Sequence, residues 1–384
     1  MYQGWLGTME SFGRAFMELL NSTLVRLCIA AVSIATLGAA PASGPSTEPA
    51  NFGQLRFVGR WDRRDPGRAI TVNSGSYLLA RFDGTGIAAR FDIANNKAPL
   101  PTIAWQIDQG QWQESEVAPL VQLAGGLEAP SAPSGSRAHS VILMARGLDE
   151  HQDRWSDPLV ASLALVSLEP SDGGKLLDPL PEWEQPRIRM EVLGDSITEG
   201  VLVHGERDGK KTWPWRTDGR LAYACRTAFA LGAQCRQVGF GAQGLTHGGS
   251  GGTPAAPEAF NFFHKSCPRD DWQADLVVIN QGTNDGHAKA EQFRPLYRKL
   301  LDEVRQAYPR AQIAAMRPFN GAHADDIAAE VKAFNDAGDA KVFYVDTTGW
   351  LVKGDFTDGL HPNVDGSAKA ADRLTAALKV HLPE

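Results

Sequence analysis

The run "RIRMEVLGDSITEGV", Arg187 to Val201, reads as a buried strand from Ile188 to Leu193 that stops at Gly194-Asp195-Ser196 and resumes as a polar, helix-like segment. A serine at the point where a strand becomes a helix is held by backbone on both sides, so its hydroxyl is presented at a sheet edge with little freedom. That is a place for a nucleophile. Gly, Asp and Ser are also common turn and cap residues, so the triplet alone does not separate a nucleophile from an ordinary strand-to-helix turn. The sequence around it does.

Downstream, strand-like runs at Gln234–Val238, Leu276–Asn280, Ile313–Met316 and Val342–Val345 alternate with helical stretches. The clearest helix is "EQFRPLYRKLLDEVRQAY", where Phe293, Leu296, Tyr297, Leu300, Leu301 and Val304 share one face. Others are Leu221–Leu231, Asp325–Phe334 and Gly366–Val380. Such alternation predicts an α/β fold, a five-stranded parallel sheet covered by helices on both faces, with chemistry collecting beyond the carboxyl ends of the strands.

Upstream of the Pro-rich joint "LDPLPEWEQP" (Leu177 to Pro186) the period is different. "AITVNSGSYLLARFDGTGIAARFDI" reads as three strands split at Asn73-Ser74-Gly75 and Asp83-Gly84-Thr85-Gly86, and "TIAWQIDQGQW", "AHSVILMARGL" and "LVASLALVSLE" continue the series. Short strands with close-set turns predict an antiparallel β-sandwich. The expected organisation is a signal peptide and linker over 1–50, a sandwich over 51–176 and a catalytic domain over 187–384.

The first fifty residues read as an address. Arg26 precedes an apolar run from Leu27 to Ala40, and small residues and a Ser/Pro/Gly-rich stretch follow. The run is shorter than the roughly 20 residues of a membrane span, so a cleaved signal and a secreted or periplasmic protein are expected. The stretch before it is long for a signal, which makes Met17 a candidate start. Cys28 would leave with the signal, and of Cys225, Cys235 and Cys267 one pair could form a disulfide without the sequence choosing which. The 384 residues carry a net charge of −7 and no basic stripe, which excludes nucleic-acid binding by counterion release. No metal-ligand spacing is present, and neither metal nor organic cofactor is expected.

The ends of the predicted strands gather polar groups. The second runs into "VGFGAQGLTHGGSGG" (Val238 to Gly252), whose glycines let backbone N–H groups approach a ligand, and the third ends in "INQGTNDG", which brings the Asn284 amide to the same edge. After the fifth comes "FTDGLHPNVDG", where Asp358 and His361 lie close enough for one segment to deliver an imidazole and the carboxylate that orients it. A serine, a donor loop, an amide and an Asp-x-x-His at successive strand ends point together to a hydrolase.

The constellation resembles the SGNH (GDSL-type) esterase and lipase superfamily over residues 187 to about 382. The resemblance implies Ser196 as nucleophile, His361 as base and Asp358 as its acid partner, with Ser196, a glycine of the second block and Asn284 as oxyanion donors. Gly241 and Gly244 both qualify, and Gly244 is preferred for its distance from the strand end. The front half, through "FVGRWDRRD", "ITVNSGSYLLARFDGTGIAARF" and "IAWQIDQGQW", is similar to the jelly-roll module of the second carbohydrate esterase family, which implies an accessory domain beside the active site and an acetylated polysaccharide or oligosaccharide as substrate. Asp195 is expected to be structural. Trp213 and Trp215 are candidates to line a sugar cleft or, equally, to pack against the other domain, and Arg317 to reach substrate or to pair with an acidic neighbour. A lipase, lysophospholipase or thioesterase on the same fold, and a carbohydrate-binding protein with an idle site, are the rival readings. Oligomeric state is not readable from the sequence.

Overall fold

Apolar residues alternate along Tyr77–Phe82 so that Leu78, Ala80 and Phe82 enter one core while Tyr77 faces the other way, the period of two that a sheet buried on both faces requires. The computed structural model describes residues 52–128, 138–205 and 209–382; the expected signal peptide and linker lie outside the described residues. The first half is built from β1 (Arg56–Val58), β2 (Ala69–Thr71), β3 (Tyr77–Phe82), β4 (Ile87–Phe91), β5 (Thr102–Ile107), β6 (Gln113–Glu116), β7 (Leu120–Ala124), β8 (His139–Gly147), β9 (Leu163–Pro170) and β10 (Leu176–Leu177). They form two antiparallel sheets, β1-β3-β8-β5-β6 with β10 on the β3 edge, and β2-β9-β4-β7. Leu78, Phe82, Ile103 and Leu143 of the first meet Ile87, Phe91, Leu163 and Leu165 of the second in one core.

The second half carries β11 (Ile188–Asp195), β12 (Ala233–Phe240), a hairpin of β13 (Phe262–His264) and β14 (Cys267–Pro268), then β15 (Leu276–Asn280), β16 (Gln312–Met316) and β17 (Val342–Val345). Its helices are α1 (Pro181–Glu184), α2 (Ser196–Glu199), α3 (Trp213–Arg216), α4 (Tyr223–Ala230), α5 (Ala256–Ala259), α6 (Ala290–Ala307), α7 (Ala324–Asp336) and α8 (Val364–Lys379). The parallel sheet has the order β12-β11-β15-β16-β17. Met190, Val192, Leu276 and Val278 pack under α4 and α8, while Leu193, Val277, Ile279 and Ile313 pack under α6 and α7, which is the three-layer arrangement. Strand order reverses between β11 and β15, so the crevice beyond their carboxyl ends is the natural ligand position in such a sheet.

Three arginines of the sandwich are buried in the parallel-sheet half. Arg60 donates to Glu191 on β11 (3.2 Å), Arg154 makes a two-pronged bond to Glu199 on α2 (2.5 and 2.7 Å), and Arg146 lies 3.2 Å from Asp218. Burial alone would raise the Asp218 carboxyl, but Arg220 and Arg146 hold it well below the usual carboxylate range. Val72, Trp155 and Leu159 of the sandwich share a core with Phe240 and Phe260. The two halves are thus joined by apolar and ionic contacts at the foot of the serine's own helix. The remaining cysteines, Cys225, Cys235 and Cys267, are buried free thiols, so the disulfide considered from the sequence is not formed.

Candidate active site

Strand β11 continues past Leu193 to Asp195, so the serine is the first residue after the strand and opens α2. Gly194 makes that turn possible: a Cβ there would overlap the Thr198 side chain folding back over it. The Asp195 side chain caps α2 by accepting from the Ile197 N–H (2.9 Å), and Gly200, at φ +84°, closes it with a bond to the Ser196 carbonyl (3.1 Å).

The opposing wall is the segment before α8. Asp358 Oδ1 accepts the backbone N–H of Leu360 (3.0 Å) and of His361 (2.8 Å), which folds the chain so that the His361 Nδ1 meets Oδ2 of the same carboxylate (2.8 Å). The far nitrogen, Nε2, lies 2.8 Å from Ser196 Oγ. With Nδ1–H donated to the carboxylate, Nε2 is left to accept from the serine hydroxyl. The Thr357 hydroxyl donates to the Leu202 carbonyl (2.8 Å) and ties this loop to the segment after the serine. Burial would raise the Asp358 carboxyl, but the backbone and ring hydrogen bonds from His361 hold it below the usual range.

The third group is Asn284, on the 3₁₀ turn Thr283–Asp285 after β15. Its Nδ2 donates to the Gln243 carbonyl (2.9 Å) and to Asp195 Oδ2 (3.2 Å). Asp195 therefore does more than cap the turn: it holds Asn284 beside the serine. Burial pushes its carboxyl up to about 6. Neighbouring Asp285 accepts the N–H groups of Leu245 and Thr246 and the Thr246 hydroxyl, fastening the glycine-rich loop to the end of β15. Both glycines of that loop are close approaches. A Cβ on Gly244 would come within 2.7 Å of Asp285 Oδ1, and one on Gly241 would overlap Glu150. The Gly244 N–H, expected to face an oxyanion, is donated to the His247 carbonyl (3.2 Å), because the loop turns back on itself there.

Ser196, His361, Asp358 and Asn284 are thus brought together from three strand ends. Arg317 is not with them; it contacts Pro318, Thr347 and Asp346, the acidic neighbour weighed as its partner. The Trp215 ring carries the Lys210 ammonium at 3.3 Å and the Arg146 guanidinium at 5.4 Å, so cations occupy the place expected for a sugar. Trp213 meets His151 edge-on at 4.7 Å. Sequence reasoning missed Glu150 and Asp285. The first follows β8 in the other half of the chain, and the second sits in a turn where any acid would pass for a turn residue. Among the described residues one group has metal-ligand chemistry, Asp62, His264 and Cys267, with ligand atoms within 4.8 Å of one another. Asp62 there is already paired with Arg64 (2.9 and 2.7 Å) and with the His264 ring (3.0 Å).

Residues 192–369, which hold all four site residues, match the model of the GDSL-like Lipase/Acylhydrolase family. Over this segment the chain is similar to that family. Outside the GDSL-type segment the likeness continues: the chain is 26% identical over 356 residues to the cellulase/esterase CelE of Acetivibrio thermocellus, a match covering 85% of this chain and 39% of that protein. The chain thus spans well under half the length of that curated relative. A family two carbohydrate esterase from Clostridium thermocellum, solved with cellohexaose, shares the fold at 23% identity and a TM-score of 0.70, covering 85% of this chain and 98% of that one. The acetyl xylan esterase Est2A from the rumen bacterium Butyrivibrio proteoclasticus does so at 19% identity and a TM-score of 0.68, covering 88% and 96%. Both cover the sandwich together with the GDSL-type segment. Among the described residues no helix is long and apolar enough to cross a membrane.

Proposed function

We propose that this chain is an exported serine esterase that removes O-acetyl groups from a polysaccharide such as xylan or mannan, by way of an acyl-enzyme. The observation that carries the proposal is the line Ser196–His361–Asp358, with both hydrogen bonds at 2.8 Å. His361 takes the hydroxyl proton as Ser196 attacks the ester carbonyl and passes it to the departing sugar oxygen; water, activated by the same imidazole, then releases acetate. Asp358 keeps the ring in the tautomer that leaves Nε2 free to accept. The Asn284 amide, whose two N–H groups go to Gln243 (2.9 Å) and Asp195 (3.2 Å), becomes the side-chain donor to the oxyanion by giving up the longer bond to Asp195, and the Ser196 N–H is the backbone donor. Gly244 joins them when its N–H leaves the His247 carbonyl. Each step is carried by the chain's own residues. The relatives' names supply the acetylated-carbohydrate part of the reading.

The test is acetate release from acetylated xylan, acetylated mannan and O-acetylated peptidoglycan, run beside a series of aryl esters. Release from one of the plant polymers and a steep fall from acetyl to butyryl to octanoyl aryl esters are expected, since an added methylene gains about 0.8 kcal/mol only where an apolar groove receives it. Rates that climb toward octanoate, with no acetate from any polymer, overturn the carbohydrate assignment in favour of the lipase reading.

A further inference from the structure

Glu150 is a buried acidic residue set against the glycine-rich loop that follows β12. It lies on the loop that follows β8 in the sandwich, its residue is 6% exposed, and among the described residues no hydrogen bond reaches its side chain. Its oxygen lies so close over Gly241 that a Cβ there would overlap it, which places the carboxylate on the loop at the end of β12. Two residues on in that loop, the Gln243 carbonyl takes the Asn284 amide, so the carboxylate borders the loop that flanks the site. The carboxylate has no protein donor and keeps a sliver of exposure, so the hydroxyls of a ligand can supply the donors.

The loop around it is rigid. Asp149 accepts the His151 N–H (3.0 Å), Asp153 accepts those of Trp155 and Ser156 (2.9 Å each), and Arg154 is locked to Glu199. Next to Glu150, the His151 ring stands edge-on to Trp213, whose indole Nε1 is buried without an acceptor. An unfilled acceptor and an unfilled donor therefore stand on one wall, a complement to a ligand with neighbouring hydroxyls.

We propose that this wall is a sugar subsite: Glu150 accepts hydrogen bonds from free hydroxyls of the sugar that carries the acetyl group, and the Trp213 indole N–H donates to one of its oxygens, its ring being taken by Arg216 (5.6 Å) and His151. The subsite rests on the carbohydrate-esterase reading and deepens it by assigning part of substrate recognition to the sandwich. It explains why Gly241 has no side chain, and it gives the front half of the chain a direct share in binding. A carboxylate suits the task because its oxygens accept from two adjacent hydroxyls while an ester or acyl chain offers it no donor.

The experiment compares two substrates on wild type, Glu150→Gln, Glu150→Ala and Trp213→Ala. One is acetylated xylotriose, or acetylated mannotriose if that is the polymer cleaved; the other is 4-nitrophenyl acetate, which has the acyl group and no hydroxyls. Loss of a charged acceptor should lower kcat/KM on the trisaccharide by about 10-fold to 100-fold, chiefly through KM, and leave the aryl ester within about twofold. Thermal melts of each variant control for folding, and the isosteric Gln variant keeps the shape of the wall. An equal fall on both substrates, or no fall on either, overturns the subsite while the esterase reading stands. A wild type that cleaves the aryl ester and releases no acetate from any acetylated sugar overturns both.

Discussion

At the scale of single residues, Asp358 has two tasks on two oxygens: one builds the turn by accepting Leu360 and His361 N–H groups, the other orients the ring. Asp358→Asn keeps a carbonyl oxygen for the turn but offers an amide to the imidazole. It should therefore lose activity, by up to about 10⁴ in kcat, yet less than His361→Ala, and Asp358→Ala should lose both activity and thermal stability. Rate and melting curve measured on the same samples separate the two tasks; equal rates for wild type and Asp358→Asn would mean that something else orients His361. A second prediction concerns Glu150, whose carboxyl is pushed up to about 6, first by burial and then by Glu199. The raised value means that the folded protein binds the proton more tightly than the unfolded chain. Stability from this group is therefore full at low pH and falls as pH rises from about 4.5 to 6. Glu150→Gln should accordingly be more stable than wild type at pH 8, by about 2 kcal/mol in urea unfolding, with the gap closing near pH 4. A gap that does not depend on pH would show that the charge is not what costs the fold. A more stable variant that binds sugar worse is the trade expected of a residue kept for function.

At the scale of elements, the turn from β11 into α2 depends on there being no side chain at position 194. Gly194→Ala should cost about 1–3 kcal/mol in unfolding free energy and a larger share of activity, because relief of the overlap with Thr198 moves the segment that begins with Ser196. A variant with unchanged kcat would show that the elbow has slack. The strongly periodic elements were legible: the five parallel strands, the helix carrying Phe293 to Val304, and the sandwich strands flanked by Gly and Asn turns all stand where apolar spacing put them. β6 and β7 were not, because "QESE" and "LVQLA" are short and largely exposed and show no buried alternation. Within the site, the serine, the amide and the Asp-x-x-His sit at strand ends that sequence can locate. The fixing of Asn284 by Asp195 and the nearness of Glu150 to Gly241 join residues far apart in the chain, and no local spacing encodes them. Trp215 follows the second of its two readings, packing against the other half: its ring carries Arg146 of the sandwich at 5.4 Å as well as nearby Lys210 at 3.3 Å, and the first of these partners is invisible to local spacing.

At the scale of the molecule, the sandwich and the parallel-sheet half are held by buried ion pairs, and such pairs are most sensitive to losing one member. Glu199→Ala would leave Arg154 buried without its two-pronged carboxylate partner, so a loss of about 3–5 kcal/mol is expected in urea unfolding. The double variant Glu199→Ala, Arg154→Met should recover part of it. A single variant as stable as wild type would mean that water reaches the pair.

Chain order gives these pairs a further meaning. A ribosome makes the sandwich segment, with Arg60, Arg146 and Arg154, before the rest. The acids that answer them, Glu191, Glu199 and Asp218, are the next part of the chain to emerge, on either side of Ser196. Asn284 follows later, and Asp358 and His361 later still. The counter-charges of the scaffold therefore precede His361 in the order of synthesis, and the ion pairs between the halves need nothing from the segment that carries it.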